Sequence, residues 1–166
     1  MAKEQHMTQE REKAQPMQPA MVARLVYRGD LGATRFDAAA GIAGAEAEWQ
    51  TLPLDSAHGA GAAAGVSPME LLLVALGGCL GMSVVPILRK MRQEVTAYEM
   101  RVTGERSHGW PVVFTGIVVE HRVTGHALDV AAIERAIALA EARYCGVSAM
   151  LGKAVPLTHT LTLTER

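Results

Sequence analysis

Residues 67–91, SPMELLLVALGGCLGMSVVPILRKM, contain the longest apolar run of the chain and predict a long helix. Ser67 is placed to cap this helix, Pro68 falls at its first position, and Glu70 follows the cap with the spacing of a capping box. Apolar residues occupy nearly every face, so we expect the helix to be buried on most sides. Pro86 removes one backbone donor and is expected to kink the helix or divide it.

Shorter patterned segments surround this helix. In chain order, we expect strands at 21–28, 33–38 and 47–54, the long helix, a β-hairpin at 95–105 and 112–123, a helix from Asp129 to about Arg143, a short helix at 147–152 and a strand at 157–163. Strands followed by a long helix, more strands, a helix and a final strand indicate an α+β fold rather than a parallel βαβ array.

The sequence predicts a tail followed by one domain that contains an internal connector. Residues 1–20 are rich in Gln, Glu, Lys and Met and contain almost no β-branched residues, which predicts a flexible N-terminal tail. Residues 21–166 are expected to form a single domain. Residues 55–66, DSAHGAGAAAGV, are interpreted as a connector, although a segment so poor in side chains could also cover a site through its backbone.

Composition excludes several classes of protein. The 166 residues are 49% hydrophobic and 20% charged with a net charge of -1, which argues against a disordered chain and against a basic nucleic-acid surface. The longest apolar run is interrupted by glycines and falls short of the roughly 20 residues of a membrane helix. The first residues do not resemble a signal peptide, so we expect a cytoplasmic protein with no membrane or nucleic-acid partner.

Motifs for metals and nucleotides are missing from the sequence. Gly59, Gly61 and Gly65 precede a helix, but the strand and the acidic residue of a dinucleotide fingerprint do not frame them. The sequence has neither a paired C-x-x-C nor H-E-x-x-H, so we expect no metal and no organic cofactor. The six histidines are scattered, and His121 and His126 beside a turn are interpreted as polar surface residues.

The two cysteines are the remaining candidates for chemistry. Cys79 lies within the long helix in LGGCLG, and Cys145 follows the second helix in RYCGVS. From composition alone, both could be buried structural cysteines. A reactive thiol in the middle of a helix would need a nearby cation or hydrogen-bond donors to lower its pKa.

The two cysteine contexts together resemble the OsmC family, which includes the organic hydroperoxide resistance proteins. SPMELLLVALGGC matches the family's long helix leading to a cysteine, and RYCGVS matches its second cysteine, which usually lies in C-P-V-S about 65 residues later. Here Gly146 replaces that proline, and Met69 stands where the hydroperoxide-resistance members have an acidic residue paired with an arginine. The resemblance covers about residues 21–164.

The resemblance implies an intertwined homodimer, with antiparallel sheets wrapped around long central helices and active sites at the subunit interface. It also implies a thiol peroxidase of oxidative stress defence, with Cys79 as peroxidatic nucleophile and Cys145 as resolving thiol. The substrate would be a small organic hydroperoxide and the reductant a dithiol. Arg24, Arg28 and Arg35 are candidates for the activating arginine, with Arg35 the best placed.

Two other functions stay open. The fold could serve as a non-enzymatic dimeric module that binds a small molecule or senses redox state, with structural or sensory cysteines, and the replacement by Met69 favours this alternative. A zinc-binding regulator has only scattered ligands in its favour. Glu70 lies nine residues before Cys79, about 180° away around the helix, so we interpret it as a cap and not as a catalytic carboxylate.

Overall fold

The computed structural model describes residues 20–27, 35–55 and 65–166. The predicted tail at 1–20 therefore lies almost wholly outside the described residues, as does most of the predicted connector at 55–66. The chain divides into two compact units, residues 1–67 and 68–166, and each is described by itself. The single domain expected over 21–166 stays a prediction.

The first unit is a three-stranded antiparallel sheet. Its strands are β1 (Met21–Tyr27), β2 (Arg35–Ile42) and β3 (Gln50–Asp55), with β2 in the centre. A single 3-10 turn at Glu46–Glu48 leads into β3. The second strand runs to Ile42 rather than to residue 38, because it pairs with β1 along the whole length of that strand.

The second unit begins with the long helix α1, Pro68–Lys90, which starts at the predicted residue. The helix continues through Pro86 and is not divided there, so of the two predicted effects only a kink stays a prediction. Its buried residues recur every four positions along one stripe: Leu76, Leu80, Val84 and Leu88. Within the second unit as described, the helix is therefore not buried on most sides, because the sheet and α2 cover one side of it.

The uncovered side of α1 is apolar. Val74 and Met82 are both exposed, Met82 to 82% of its full area. By length and composition alone, the 23-residue helix would suffice to span a membrane, a property that core helices of soluble proteins share. The absence of a membrane partner stays a prediction.

The rest of the second unit is a mixed sheet with two helices. Its strands are β4 (Glu94–Arg106), β5 (Phe114–His126) and β6 (Leu157–Glu165), in that spatial order. Helices α2 (Val130–Arg143) and α3 (Gly146–Leu151) connect β5 to β6. Asp129 caps α2 as predicted, accepting a hydrogen bond from the Ala131 N–H at 2.9 Å.

The α+β class is confirmed, but one strand pairing differs from the expected antiparallel sheets. The hairpin β4–β5 is antiparallel, whereas β5 and β6 are parallel. The connection through α2 and α3 crosses over the sheet and returns the chain in the same direction, which is the geometry that parallel strands require. The order of strands and helices along the sequence does not distinguish parallel from antiparallel pairing of β5 with β6.

The core of the second unit lies between this sheet and its helices. The inner face of β5 carries Ile117, Val119, His121 and Val123, all nearly inaccessible to solvent. One apolar cluster joins α1, α2 and Val123, and a second joins α1, Val119 and Cys145. The second cluster includes both cysteines, so the fold brings together the residues that the sequence singled out.

Candidate active site

The two cysteine thiols lie close to each other. Cys79 is half-buried on α1, and Cys145, only 2% exposed, lies between α2 and α3. Neither thiol is in a disulfide, and Cys79 is near enough to affect the pKa of Cys145. Both belong to the apolar cluster formed with Leu76, Leu80 and Val119. The site thus holds a reduced thiol pair in an apolar setting.

Small residues beside Cys79 allow α1 to lie close to β4. A Cβ atom added at Gly81 would lie 2.7 Å from Cε of Met100, and one added at Gly77 would lie 3.2 Å from Cγ2 of Val102. Both distances are shorter than an ordinary carbon–carbon contact. The glycines of the LGGCLG sequence therefore allow the turn of α1 that carries Cys79 to pack closely against the sheet.

Cys145 is held by the backbone on both sides. Its N–H donates to the carbonyl oxygen of Ala140 at 2.9 Å, which closes the end of α2. Its Sγ atom accepts a hydrogen bond from the Ser148 N–H at 3.3 Å, at the start of α3. Gly146, where the family has proline, is the first residue of α3, so the short helix forms without that proline.

The surroundings of the Cys145 thiol shift its pKa in opposite directions. Burial raises its pKa, and the neighbouring Cys79 thiol raises it further. Ser148, whose N–H donates to the sulfur, favours the thiolate and opposes this rise. Burial is the largest of these effects, so the pKa of Cys145 lies above its ordinary value.

An apolar groove flanks the turn of α1 that carries Cys79. Its volume is about 440 Å³, and its walls come from α1 and β4: Leu73, Val74, Gly77, Gly78, Gly81, Met82, Met100 and Val102. Among the residues that the structure describes, no charged side chain lines this groove. Its chemistry suits the hydrocarbon part of a small ligand.

The predicted activating arginine belongs to the other unit. Arg35 is the first residue of β2, and nothing is described of its side chain. Arg24 is exposed on β1, and Arg28 lies outside the described residues. Met69, in the position of the family's acidic residue, is half-buried in the first turn of α1. The role of Arg35 stays a prediction.

A buried polar chain that the sequence analysis missed crosses the same unit. The Tyr98 hydroxyl lies 2.5 Å from Nδ1 of His121, and Nε2 of His121 lies 2.9 Å from Nδ1 of His159. Nε2 of His159 then lies 3.4 Å from Oε1 of Glu141 on α2. His121 is 0% exposed, so its interpretation as a surface residue is wrong, whereas His126 is exposed.

Strand periodicity explains this error. His121 lies two residues from Val119 and two from Val123, so it shares their inward face on any strand that covers this segment. The same alternation places His159 with Leu157 and Leu161 on one face of β6. Among the described residues, no group of three or more His, Cys, Asp and Glu side chains could hold a metal ion.

Known proteins are similar to this chain in sequence and in fold. The family model described as OsmC-like protein matches residues 59–160. Protein YhfA of Escherichia coli (strain K12) is 47% identical over 94 residues, which cover 57% of this chain and 70% of that protein.

Two solved structures show the same architecture at low identity. The OsmC-like protein from Mycoplasma pneumoniae is 17% identical with a TM-score of 0.68, over 90% of this chain and 99% of that one. The organic hydroperoxide resistance protein OhrB of Bacillus subtilis is 15% identical with a TM-score of 0.56, and the match covers 85% of this chain and 98% of that one. Taken with the family model and the relative at 47% identity, these matches show that the chain belongs to the OsmC-like family.

Proposed function

We propose that the protein is a thiol-dependent peroxidase that reduces organic hydroperoxides in oxidative stress defence. The observation that carries the proposal is the proximity of a half-buried thiol, Cys79, to a buried one, Cys145, in one apolar cluster. A two-cysteine peroxidase needs one thiol that a peroxide can reach and a second within reach of the first. Membership of a family with organic hydroperoxide resistance proteins among its solved structures supports this assignment.

The proposed reaction has two steps. The Cys79 thiolate attacks one peroxide oxygen, the O–O bond breaks, and the products are a Cys79 sulfenic acid and an alcohol. The Cys145 sulfur then attacks the sulfenic sulfur, forming the disulfide and releasing water. An external dithiol reduces this disulfide by exchange and restores both thiols.

The apolar groove along the turns of α1 around Cys79, which Cys79 itself does not line, supports a preference for organic over inorganic peroxides. Leu73, Val74 and Met82 on α1 offer the hydrocarbon tail of a substrate a surface from which water is released on binding. Hydrogen peroxide has no such tail and gains nothing from this surface. We therefore expect a preference for bulky hydroperoxides such as cumene hydroperoxide.

A homodimer and an activating arginine complete the proposal. The exposed apolar side of α1 needs a cover, and a second copy of the chain is the cover that the family resemblance implies. Arg35 is proposed to stabilise the Cys79 thiolate as its cation. We also expect the protein to act in the cytoplasm, where dithiol reductants keep cysteines reduced.

Cysteine variants test the proposal. Cys79→Ser should abolish the consumption of cumene hydroperoxide, because the nucleophile is lost. Cys145→Ser should react once and stop at a Cys79 sulfenic acid that a dimedone probe traps. Equal, partial losses of peroxide consumption in both variants would contradict the assigned roles. Dimedone labelling of Cys145 in the Cys79→Ser protein would show that the two cysteines have the opposite roles.

A non-enzymatic binding or redox-sensing module is the second candidate. Met69 favours it, because it removes the acidic partner that orients the arginine in hydroperoxide-resistance members. Such a module would lose its thiols slowly with cumene hydroperoxide, whereas the peroxidase loses both within seconds. The rate of thiol loss therefore separates the two functions.

A further inference from the structure

The Ser148 side chain is a buried polar group that the proposed reaction steps do not use. Ser148 lies in α3, close after Cys145 in the sequence, and is only 3% exposed. Its Oγ atom has no hydrogen-bond partner among the residues that the structure describes. A buried hydroxyl without a partner destabilises a fold, because it gives up its hydrogen bonds to water. The stability of the reduced protein therefore does not explain this side chain.

The backbone of α3 holds Ser148 beside the sulfur of Cys145. The N–H of Ser148 donates to Sγ of Cys145 at 3.3 Å, and the carbonyl oxygen of Ser148 accepts the N–H of Gly152 at 2.8 Å. The Ser148 side chain is also near enough to Cys145 to affect the pKa of its thiol. The unpartnered hydroxyl thus lies next to one of the two sulfurs of the proposed reaction.

The charge on Cys145 decides how well its sulfur accepts hydrogen bonds. A neutral thiol is a weak acceptor, and this one already receives the N–H of Ser148. A thiolate takes charge-assisted hydrogen bonds, which are about twice as strong as those between neutral groups. The Ser148 hydroxyl can rotate to present its proton to such an acceptor. A donor that is unpartnered in the reduced protein is therefore available to the charged sulfur.

The surroundings of Cys145 offer little else to stabilise a negative charge. Burial is the strongest influence on the pKa of Cys145 and raises it, the Cys79 thiol raises it further, and Ser148 lowers it. Among the described residues, no charged side chain shifts this pKa. The cluster around the sulfur is apolar and includes Leu76, Leu80, Val119 and Val155. A thiolate at this position therefore depends on the N–H and the hydroxyl of Ser148.

Two steps of the proposed reaction place negative charge on Cys145. In the first, the Cys145 thiolate attacks the sulfenic sulfur of Cys79, the S–S bond forms, and the departing hydroxide takes up the proton that the thiol released. In the second, a thiolate of the dithiol reductant attacks Sγ of Cys79, the S–S bond breaks, and its electron pair leaves on Cys145. Exchange of this kind is faster when the leaving thiol has a lower pKa.

We propose that the Ser148 hydroxyl donates a hydrogen bond to the Cys145 sulfur when this sulfur is negatively charged, and so promotes both the formation and the reduction of the Cys79–Cys145 disulfide. This inference rests on the thiol chemistry proposed above and assigns a further residue to it. Ser148 stabilises the charged form of a reacting atom, whereas its hydroxyl has no partner while the thiol is neutral.

The pKa of Cys145 in the Cys79→Ala protein tests this hydrogen bond directly. That variant keeps one cysteine, whose Cβ resonance in carbon NMR shifts when the thiol ionises. Ser148→Ala in the same background should raise the pKa of Cys145 by about 1, the effect of losing a hydrogen bond to a charged group. Ser83→Ala is the control, because the Ser83 hydroxyl already donates to the carbonyl oxygen of residue 79 at 2.8 Å. An unchanged pKa in Ser148→Ala, or an equal rise in Ser83→Ala, overturns the proposal.

Urea denaturation separates this role from a purely structural one. Ser148→Ala should leave the free energy of unfolding of the reduced protein nearly unchanged, because its hydroxyl loses no hydrogen bond. A hydroxyl that serves packing alone would give the opposite pattern, a loss of stability with no change in the pKa of Cys145. That pattern would also overturn the proposal.

Reduction of the disulfide measures the consequence for the reaction. Diamide forms the disulfide without peroxide, and dithiothreitol then reduces it. At pH 7, the Ser148→Ala disulfide should be reduced about threefold more slowly than that of the unmodified protein, since Cys145 becomes a poorer leaving group. Ser83→Ala should match the unmodified protein. None of these measurements uses peroxide, so equal rates in Ser148→Ala and the unmodified protein would contradict the role of Ser148 and not the peroxidase.

Discussion

The side chains of Cys79 and Cys145 lie in one apolar cluster where α1 meets the α2–α3 junction, although they are 66 positions apart in the sequence. This arrangement depends on two local features. Small residues let α1 approach β4, and the end of α2 fixes Cys145 through the Ala140 carbonyl.

The two thiols should differ in reactivity towards an alkylating agent. Iodoacetamide at pH 7.5 is expected to modify Cys79 well before Cys145, because burial both shields the Cys145 sulfur and raises its pKa. Peptide mass spectrometry after partial alkylation measures the order. In urea, which unfolds the protein, the alkylation rates of the two cysteines should become similar, and this measurement serves as the control. Faster modification of folded Cys145 would contradict the described burial.

Acid should destabilise the protein through His121. Burial, and then the charge of His159, lower the pKa of His121 to about 4 in the folded state. An unfolded chain binds that proton near pH 6.5, so it holds more protons than the folded chain between those values. The free energy of unfolding should therefore fall from pH 6.5 to pH 4, by up to about 3 kcal/mol from this group.

Urea titrations at several pH values measure this loss. His121→Gln should flatten the dependence on pH, whatever its own effect on stability. His126→Gln, at an exposed position of the same strand, should leave the slope unchanged. An equal slope in all three proteins would show that His121 takes up its proton in the folded state as easily as in the unfolded state.

Gly125 should be intolerant of even a methyl group. A Cβ atom there would lie 2.1 Å from the backbone oxygen of Glu94, on the paired strand β4. Gly125→Ala is expected to lower the free energy of unfolding by about 1–3 kcal/mol, because backbone must shift to relieve the clash. Gly109→Ala meets nothing within 4 Å and should be close to neutral in the same denaturation experiment.

The exposed side of α1 should form the dimer interface. Light scattering at micromolar concentration should give a mass near twice 17.7 kDa. Met82→Glu places a charge on this face and should yield monomers. Val113→Glu, at an exposed site beside the β4–β5 turn, should leave the dimer intact. A stable monomer of the unmodified protein would contradict an active site shared between subunits.

The elements of the fold could largely be predicted from the sequence, because their ends carry strong local preferences. Pro68 and Asp129 mark the starts of α1 and α2, and α2 ends at Arg143 as expected. The parallel pairing of β5 with β6 could not be predicted from the sequence. The alternation of apolar and polar residues along a strand indicates its buried face but not the direction of the neighbouring strand.

The candidate site was predictable in part. Both cysteines stood out through their sequence contexts, and the structure brings their thiols together. The chain from Tyr98 to Glu141 depends on strand register, which the sequence does not define: His159 reaches His121 because β6 pairs with β5 between Ile117 and Gly125. The predicted role of Arg35 is not tested, because the structure describes its strand but not its side chain.

Reaction of the fully reduced protein with one equivalent of cumene hydroperoxide per chain tests the central claim most directly. Intact-mass spectrometry within seconds should show a product lighter by two hydrogen atoms, and thiol titration should show that both thiols are lost. A dithiol should restore the original mass. A mass unchanged after minutes, with both thiols still titratable, would contradict a peroxidase that works through Cys79 and Cys145.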